Sequence, residues 1–177
     1  MIENAVKRRL HEGLPVVGHW ISLPSPAVAE LMASFEPDWL MIDTEHGPAG
    51  GEVVEDLIRA MKGTPTTPLV RVAGNDPALI KQALDRGAMG VLVPMVSTAD
   101  GAHAAVSAAR FPPEGIRRVA VQIETAQALE NAEALECIAQ GFRFIGLSSD
   151  ARMLASAMAA DAERLRQGLQ AWRPARQ

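Results

Sequence analysis

The sequence of 177 residues has only one cysteine, Cys137. A single thiol cannot form an internal disulfide, and no CxxC or Cys/His spacing typical of a zinc site is present. A reducing, cytoplasmic setting is therefore expected. The first residues, MIENAVKRRLHEG, carry charges throughout and lack the apolar core of a signal peptide. No stretch approaches the ~20 apolar residues that a membrane helix needs, so no membrane partner is expected.

An excess of positive charge is also lacking. The net charge is −4 and the isoelectric point is about 5.6, whereas a protein that binds phosphates needs a basic face. The short runs Lys7-Arg8-Arg9 and Arg117-Arg118 do not supply such a face, so no nucleic-acid partner is expected. A composition of 48% hydrophobic and 21% charged residues is typical of a globular protein. The length predicts one domain over residues 1–177.

Three catalytic or binding motifs are missing as well. The segment after the first predicted strand, GHWISLPSP, contains neither GxGxxG nor GxxxxGK[ST]. A doubly wound nucleotide-binding fold is therefore disfavoured. No GxSxG motif is present either, so a serine nucleophile has no support.

Short apolar segments alternate along the chain with Ala- and Leu-rich segments of helical spacing. The apolar segments predict six strands, at 16–23, 39–43, 68–72, 90–96, 119–124 and 142–147. The others predict helices at 2–11, 26–35, 52–61, 77–86, 98–110, 125–139 and 151–172. This alternation indicates βαβ units and a parallel sheet. Because polar residues follow several different strand ends, we expect a TIM-type (β/α) barrel, incomplete, with about six of eight βα units.

The segment MIDTEHGP places Asp43, Glu45 and His46 where the second strand ends. A nearby carboxylate can hold a histidine in one tautomer and make it more basic, as a general base requires. In the alternative interpretation, Asp43 only caps the turn and His46 is merely exposed. The position at the carboxyl end of a parallel strand favours the catalytic interpretation.

Charged residues also lie within two otherwise apolar strands. Arg71 interrupts PLVRV, and it could grip a substrate carboxylate or an enolate, or form an ion pair with Asp43 or Glu124. Gln122 and Glu124 lie on one face of the fifth strand, since side chains alternate along a strand. Glu124 suits Mg²⁺ or Mn²⁺, although an ion pair with Arg71 explains it equally well.

Two further acidic residues stand near helix ends. Asp85 lies close to the end of the predicted helix 77–86, where the helix dipole disfavours a negative charge, and a surface position explains it without a function. The segment Ser148-Ser149-Asp150 follows the sixth strand and opens the last helix, and N-capping of that helix explains it well without a function.

Together these segments resemble the class II pyruvate aldolases of the HpcH/HpaI family. The resemblance rests on PSPAVAELMA, DWLMIDTEHGP, PLVRV, LIKQALDRGAMGVLVPMV, ARFPPEGIRRV, VQIET and FIGLSSDARMLASAM, from residue 18 to about 165. It implies a (β/α)₈ barrel that forms homo-oligomers, namely hexamers built as trimers of dimers, with the last helix exchanged between neighbours.

The resemblance also implies a role for each matching residue. His46 corresponds to the catalytic base, supported by Asp43, and Arg71 to the arginine that binds pyruvate and its enolate. The other matches are Asp85 as an acid that reaches the base of an adjacent subunit, Glu124 as a ligand of a divalent metal (Mg²⁺, Mn²⁺ or Co²⁺), and Gln122 as a substrate contact. The implied reaction cleaves a 4-hydroxy-2-oxoacid to pyruvate and an aldehyde, and His46 takes the 4-hydroxyl proton through water.

The sequence departs from the family in two places. Arg118 joins Val119 directly, without the loop that precedes VQIE in the family, and the GPxDL strand with its second metal carboxylate is absent. Asp150 replaces that carboxylate poorly, because the spacing is one residue too long and the proline is missing. The chain is either a sequence from which two segments are omitted or a shortened relative.

Two other functions therefore stay open. A shortened, non-catalytic relative would bind small acids or only form oligomers. A carbon–carbon lyase acting on a CoA thioester, as in the neighbouring citrate lyase β-like group, is the other alternative, although the TEHGP block fits the aldolases better.

Overall fold

A computed structural model of the chain describes residues 4–96, 98–109, 118–121 and 144–171. Its strands are β1 (Val16–Ile21), β2 (Trp39–Asp43), β3 (Thr67–Arg71), β4 (Gly90–Val93), β5 (Arg118–Val121) and β6 (Phe144–Ser149). Its helices are α1 (Ala5–His11), α2 (Pro26–Ala33), α3 (Gly51–Ala60), α4 (Pro77–Asp85), α5 (Ala99–Ala109) and α6 (Asp150–Ala171). The predicted helix 125–139 lies outside the described residues.

The strands form one six-stranded parallel sheet in the order β5-β4-β3-β2-β1-β6. Within the described part of the chain this sheet is open, with β5 and β6 at its edges. The predicted α/β architecture, an incomplete TIM-type barrel, is confirmed. Because all the strands are parallel, their carboxyl ends lie at one edge of the sheet, where the predicted polar residues were expected to meet.

The ends of the elements follow local chemistry. Ser25 Oγ accepts from the Val28 N–H at 3.4 Å, and Asp76 Oδ1 accepts from the Ala78 N–H at 2.7 Å, so both predicted caps are confirmed. The fourth strand was predicted to reach residue 96, but β4 ends at Val93. Pro94 has no N–H to donate to a neighbouring strand, and Met95 has a left-handed φ of 54°.

An apolar core fills the space between the sheet and the helices α2 to α5. Ile21, Ile42, Leu57, Ile80 and Val93 are among its fully buried side chains. Full burial of one such side chain stabilises the fold by about 1.5 to 3 kcal/mol. This core fixes the positions of β2 and β3, the two strands that carry Asp43 and Arg71.

The opposite face of the sheet has its own buried cluster, which includes Trp39 and Met41. The Trp39 ring stacks on Phe144 of β6, with centroids 4.5 Å apart and an angle of 8° between the planes. A Cβ atom at Gly18 would lie 2.1 Å from the Trp39 carbonyl oxygen, so only glycine leaves room for this tryptophan. The stacking links the second strand to the last.

The last helix, α6, has 22 residues, and residues 151–160 are all exposed. Its apolar side chains Met153 and Leu154 line a groove of about 740 Å³ together with Leu31 and Phe35 from the region of α2. Among the helices that the structure describes, none is both long enough and apolar enough to cross a membrane.

Candidate active site at the carboxyl ends of β2 and β3

A buried ion pair joins the last residues of β2 and β3. Asp43 and Arg71 are neighbours in the parallel register. Arg71 Nε donates to Asp43 Oδ1 at 3.0 Å, and Arg71 Nη2 donates to Oδ2 at 2.6 Å. The two side chains are only 6% and 10% exposed, for Asp43 and Arg71 respectively. This two-point contact fixes the plane of the guanidinium.

The ion pair also sets the charge of Asp43. Burial on its own raises the pKa of this carboxyl group. The hydrogen bond from Arg71, those from the backbone N–H groups of His46 and Glu45, and the charge of Arg71 together outweigh burial and hold the pKa of Asp43 below its usual value. Asp43 is therefore a carboxylate at neutral pH.

The loop after β2 folds back onto this pair. Asp43 Oδ1 accepts from the backbone N–H groups of Glu45 and His46, each at 3.1 Å. Thr44 donates to the Arg71 carbonyl through its N–H at 3.1 Å and its hydroxyl at 2.6 Å. A Cβ atom at Gly47 would lie 2.3 Å from the Asp43 carbonyl oxygen, so a larger residue does not fit the turn. The sequence TEHG thus forms a tight loop anchored on both strands.

Glu45 and His46 extend the same cluster, and His46 faces the solvent. Glu45 Oε2 lies 3.1 Å from Arg71 Nη1 and 3.8 Å from His46 Nε2. The Glu45 side chain is 14% exposed, whereas that of His46 is 69% exposed. Asp43 contacts His46 through the backbone N–H of His46, while the carboxylate beside the imidazole is that of Glu45.

Trp20, at the end of β1, adds an aromatic surface to the site. The Arg71 Cζ atom lies 4.5 Å from the centroid of a Trp20 ring, a cation–π contact. Trp20 was not among the residues predicted for the site, and no role was predicted for Glu45. The alternation of β1 carried a signal for Trp20, because it places Gly18 and Trp20 on the same face as Trp39 and Met41.

The other predicted residues lie apart from this cluster or outside the described chain. Asp85 is the last residue of α4, and it is exposed. Its predicted contact is with a second subunit, which a single chain does not contain. Gln122 and Glu124 lie outside the described residues.

Asp150 is buried, and its carboxylate binds backbone groups. It accepts from the N–H groups of Ser22 and Leu23, both at 2.9 Å, and from that of Ala151 at 2.7 Å. These bonds hold the loop after β1 against the start of α6. The N-cap of α6 is Ser149, whose Oγ accepts from the Arg152 N–H at 3.3 Å, while both oxygens of Asp150 accept from backbone groups.

The described residues do not form a metal site by themselves. Across 4–96, 98–109, 118–121 and 144–171, no group of three or more His, Cys, Asp or Glu side chains could hold a metal ion. The carboxylates of Asp43 and Glu45 both face the Arg71 guanidinium. A divalent metal at this edge of the sheet would therefore need ligands from the remaining residues, among which is the predicted ligand Glu124.

Comparisons with known proteins show the family of this chain. The family model described as HpcH/HpaI aldolase/citrate lyase matches residues 17–161. Two curated relatives, both called 4-hydroxy-2-oxo-heptane-1,7-dioate aldolase, are 47% identical (Escherichia coli) and 46% identical (Salmonella dublin) over 118 residues. These alignments cover 67% of this chain but 45% of each relative, so the chain spans about half the length of the curated relatives it matches.

A solved structure extends the likeness over nearly the whole chain. It is an HpcH/HpaI aldolase/citrate lyase family protein from Burkholderia cenocepacia J2315, at 25% identity and a TM-score of 0.84. The superposition covers 93% of this chain and 100% of that one. The same arrangement of strands and helices thus occurs in a protein of this family.

Proposed function

Because this chain belongs to the HpcH/HpaI aldolase/citrate lyase family, we propose that it is an aldehyde-lyase that cleaves a 4-hydroxy-2-oxoacid to pyruvate and an aldehyde. One observation carries the proposal: the buried Arg71, fixed at a strand end, and the exposed imidazole of His46 both face the carboxylate of Glu45. The guanidinium suits an anionic substrate, and the imidazole suits proton transfer. Residues 1–177 would form one barrel-type domain.

The reaction needs a base and a stabilised enolate. His46 accepts the proton of the 4-hydroxyl group, through water, as the bond between C3 and C4 breaks and the aldehyde leaves. The electron pair of that bond moves onto the pyruvate fragment as its enolate, and protonation at C3 then gives pyruvate. Arg71 binds the substrate carboxylate and the enolate oxygen with the N–H groups that Asp43 and Glu45 leave available. Gln122 would contribute a further substrate contact.

A divalent metal (Mg²⁺, Mn²⁺ or Co²⁺) is part of this proposal on the strength of the family, with Glu124 as a ligand. When bound, such an ion supplies a Lewis acid that polarises the 2-oxo group. The described residues do not complete a metal site alone.

We also propose that the chain forms a homo-oligomer, a hexamer built as a trimer of dimers. In that assembly Asp85 would reach His46 of an adjacent subunit. The exposed first half of α6 and the apolar groove beside α2 support an interface there, since exposed apolar patches of this kind are typical of interaction sites. Light scattering would give the mass of the assembly, and a monomer at micromolar concentration would contradict the proposed homo-oligomer. A cytoplasmic location remains a prediction.

The activity can be tested directly with 4-hydroxy-2-oxo-heptane-1,7-dioate, the compound in the relatives' name. The chain is incubated in turn with Mg²⁺, Mn²⁺ and Co²⁺, and pyruvate is followed with a coupled dehydrogenase. Pyruvate should form with at least one metal and not with a chelator. If none forms with any metal across several 4-hydroxy-2-oxoacids, the aldolase proposal is wrong for this chain.

A non-catalytic relative is the second candidate, because the GPxDL strand that carries the family's second metal carboxylate is absent from the sequence. Such a protein would keep the Asp43–Arg71 pair and bind small 2-oxo acids without turnover. Isothermal titration with pyruvate separates the two candidates: binding without product formation supports the second, and turnover excludes it.

A further inference from the structure

One oxygen in the site has no well-directed donor. Glu45 Oε2 is buried, and within the described part of the chain no group donates a hydrogen bond of good geometry to it. Arg71 Nη1 lies 3.1 Å away, at ion-pair distance. A buried carboxylate oxygen without a hydrogen bond is destabilising, because it has lost water contacts that nothing replaces. A hydrogen-bond donor that reached Glu45 Oε2 would therefore stabilise the site.

The imidazole of His46 can supply that donor. Its Nε2 atom lies 3.8 Å from Glu45 Oε2, too far for a hydrogen bond but within reach of a small side-chain rotation. The His46 side chain is largely exposed, so few contacts oppose the rotation. The backbones of both residues are held by Asp43 Oδ1, so the movement needs only the side chains.

Asp43 is less available for this role in the observed geometry, because four hydrogen bonds already occupy its carboxylate. Its Oδ1 accepts from Arg71 Nε and from two backbone N–H groups, and its Oδ2 accepts from Arg71 Nη2. The accepting capacity of the carboxylate is therefore largely used. Glu45 has the carboxylate that faces both the arginine and the imidazole.

We propose that Glu45 is the positioning residue of the site: its Oε2 receives the Nε2–H of His46 and orients the imidazole, while the same carboxylate holds Arg71 Nη1. The ring is then held with Nδ1 as its unprotonated atom, the one available to accept a proton. The exposed base and the buried arginine are thus connected through one side chain. This inference deepens the proposed function, and its kinetic consequences rest on it.

The first measurement does not depend on activity. The order of the His46 ring is obtained from ¹³C relaxation of its Cδ2–H and Cε1–H groups in the original chain, in Glu45→Ala and in Glu45→Gln. We expect the His46 ring to be more ordered than that of His103, an exposed histidine of α5, and this difference to disappear in Glu45→Ala. Glu45→Gln keeps a side-chain oxygen that can accept the hydrogen bond, so the His46 ring should lose less of its order. A His46 ring of unchanged order in Glu45→Ala overturns the proposal.

The second measurement separates orientation of His46 from support of Arg71. In Glu45→Ala, kcat for pyruvate formation should fall about 10-fold to 100-fold, as when the acidic partner of a functional histidine is removed, with KM within about threefold. Unchanged kcat with a raised KM would show that Glu45 acts only through Arg71, and would overturn the proposal.

A matched control is available on α3. Glu55 also pairs with an arginine, since its Oε1 lies 2.5 Å from Arg59 Nη2, but this pair is exposed. Glu55→Ala should change neither the His46 ring order nor kcat. If the original chain forms no pyruvate, the aldolase proposal fails while the relaxation data still decide the role of Glu45. Thermal melting of each variant confirms that the fold persists.

Discussion

The two halves of the candidate site differ in burial and in the precision of their contacts. Asp43 and Arg71 are 6% and 10% exposed and meet at 2.6 Å and 3.0 Å. Glu45 and His46 meet only at 3.8 Å, and His46 is 69% exposed. The ion pair of Asp43 and Arg71 is fixed in place, whereas the imidazole of His46 can move. Catalysis by proton transfer needs both, because the substrate must be held while the base approaches it.

The largest effect should come from breaking the buried half. Arg71→Ala leaves the Asp43 carboxylate buried and without its partner, which should lower the free energy of unfolding by about 3 to 5 kcal/mol and abolish pyruvate binding. Urea unfolding and isothermal titration measure the two effects. In contrast, Arg59→Ala breaks an exposed pair with Glu55 and should change stability by no more than about 0.5 kcal/mol. An equal loss of unfolding free energy in Arg71→Ala and Arg59→Ala would contradict the difference between the buried and the exposed ion pair.

Breaking the exposed half should affect the rate and spare the fold. His46→Ala removes the proposed base, and kcat should fall about 100-fold to 10,000-fold. Because the side chain is largely exposed, the free energy of unfolding should change by less than about 0.5 kcal/mol. His103→Ala, at an exposed position of α5, is the matched control. A normal rate in His46→Ala would remove this residue from its role.

Acid should weaken the buried half in a defined direction. The pKa of Asp43 is lower in the folded chain, so the unfolded chain binds more protons between that pKa and the usual value of about 3.9. The stability that Asp43 supplies is fully present above about pH 3.9 and is lost as the pH falls through the folded pKa. Thermal melting from pH 6 downward should therefore show the difference between the original chain and Asp43→Asn shrinking below about pH 4.

The control for this pH series is Asp56→Asn, on the exposed side of α3. Its difference from the original chain should stay small at each pH. A difference for Asp43→Asn that stays constant down to pH 2.5 would mean that Arg71 does not hold the carboxylate in its charged form.

The smallest expected effect comes from replacing Trp20, the aromatic residue that contacts Arg71. Trp20→Leu removes the ring over which the Arg71 guanidinium lies. A double-mutant cycle of Trp20→Leu and Arg71→Ala in urea unfolding should give a coupling energy of about 0.5 to 2 kcal/mol. Coupling near zero would show that the ring only fills space.

Much of the fold could be predicted from the sequence, and less of the site. The strands are continuous apolar runs, and the caps Ser25 and Asp76 precede prolines, so local chemistry alone located those elements. The ion pair between Asp43 and Arg71 was one of two predicted alternatives for Arg71. The position of Glu45 depends on a turn that Asp43 Oδ1 and Gly47 create together. Such a turn combines several contacts, and no single residue in TEHG predicts it.

The pairing of β1 with β6 has a consequence for how the chain folds. Val16 lies beside Phe144, and Asp150 binds Ser22 and Leu23 across separations of 128 and 127 residues. On the ribosome, β1 to β4 and their helices can pack in the order of synthesis, whereas β1 keeps an open edge until β6 is made. Closing such a distant contact is slow, and an unpaired strand edge promotes aggregation in the meantime. The docking of β6 on β1 is therefore the step that ends this exposure.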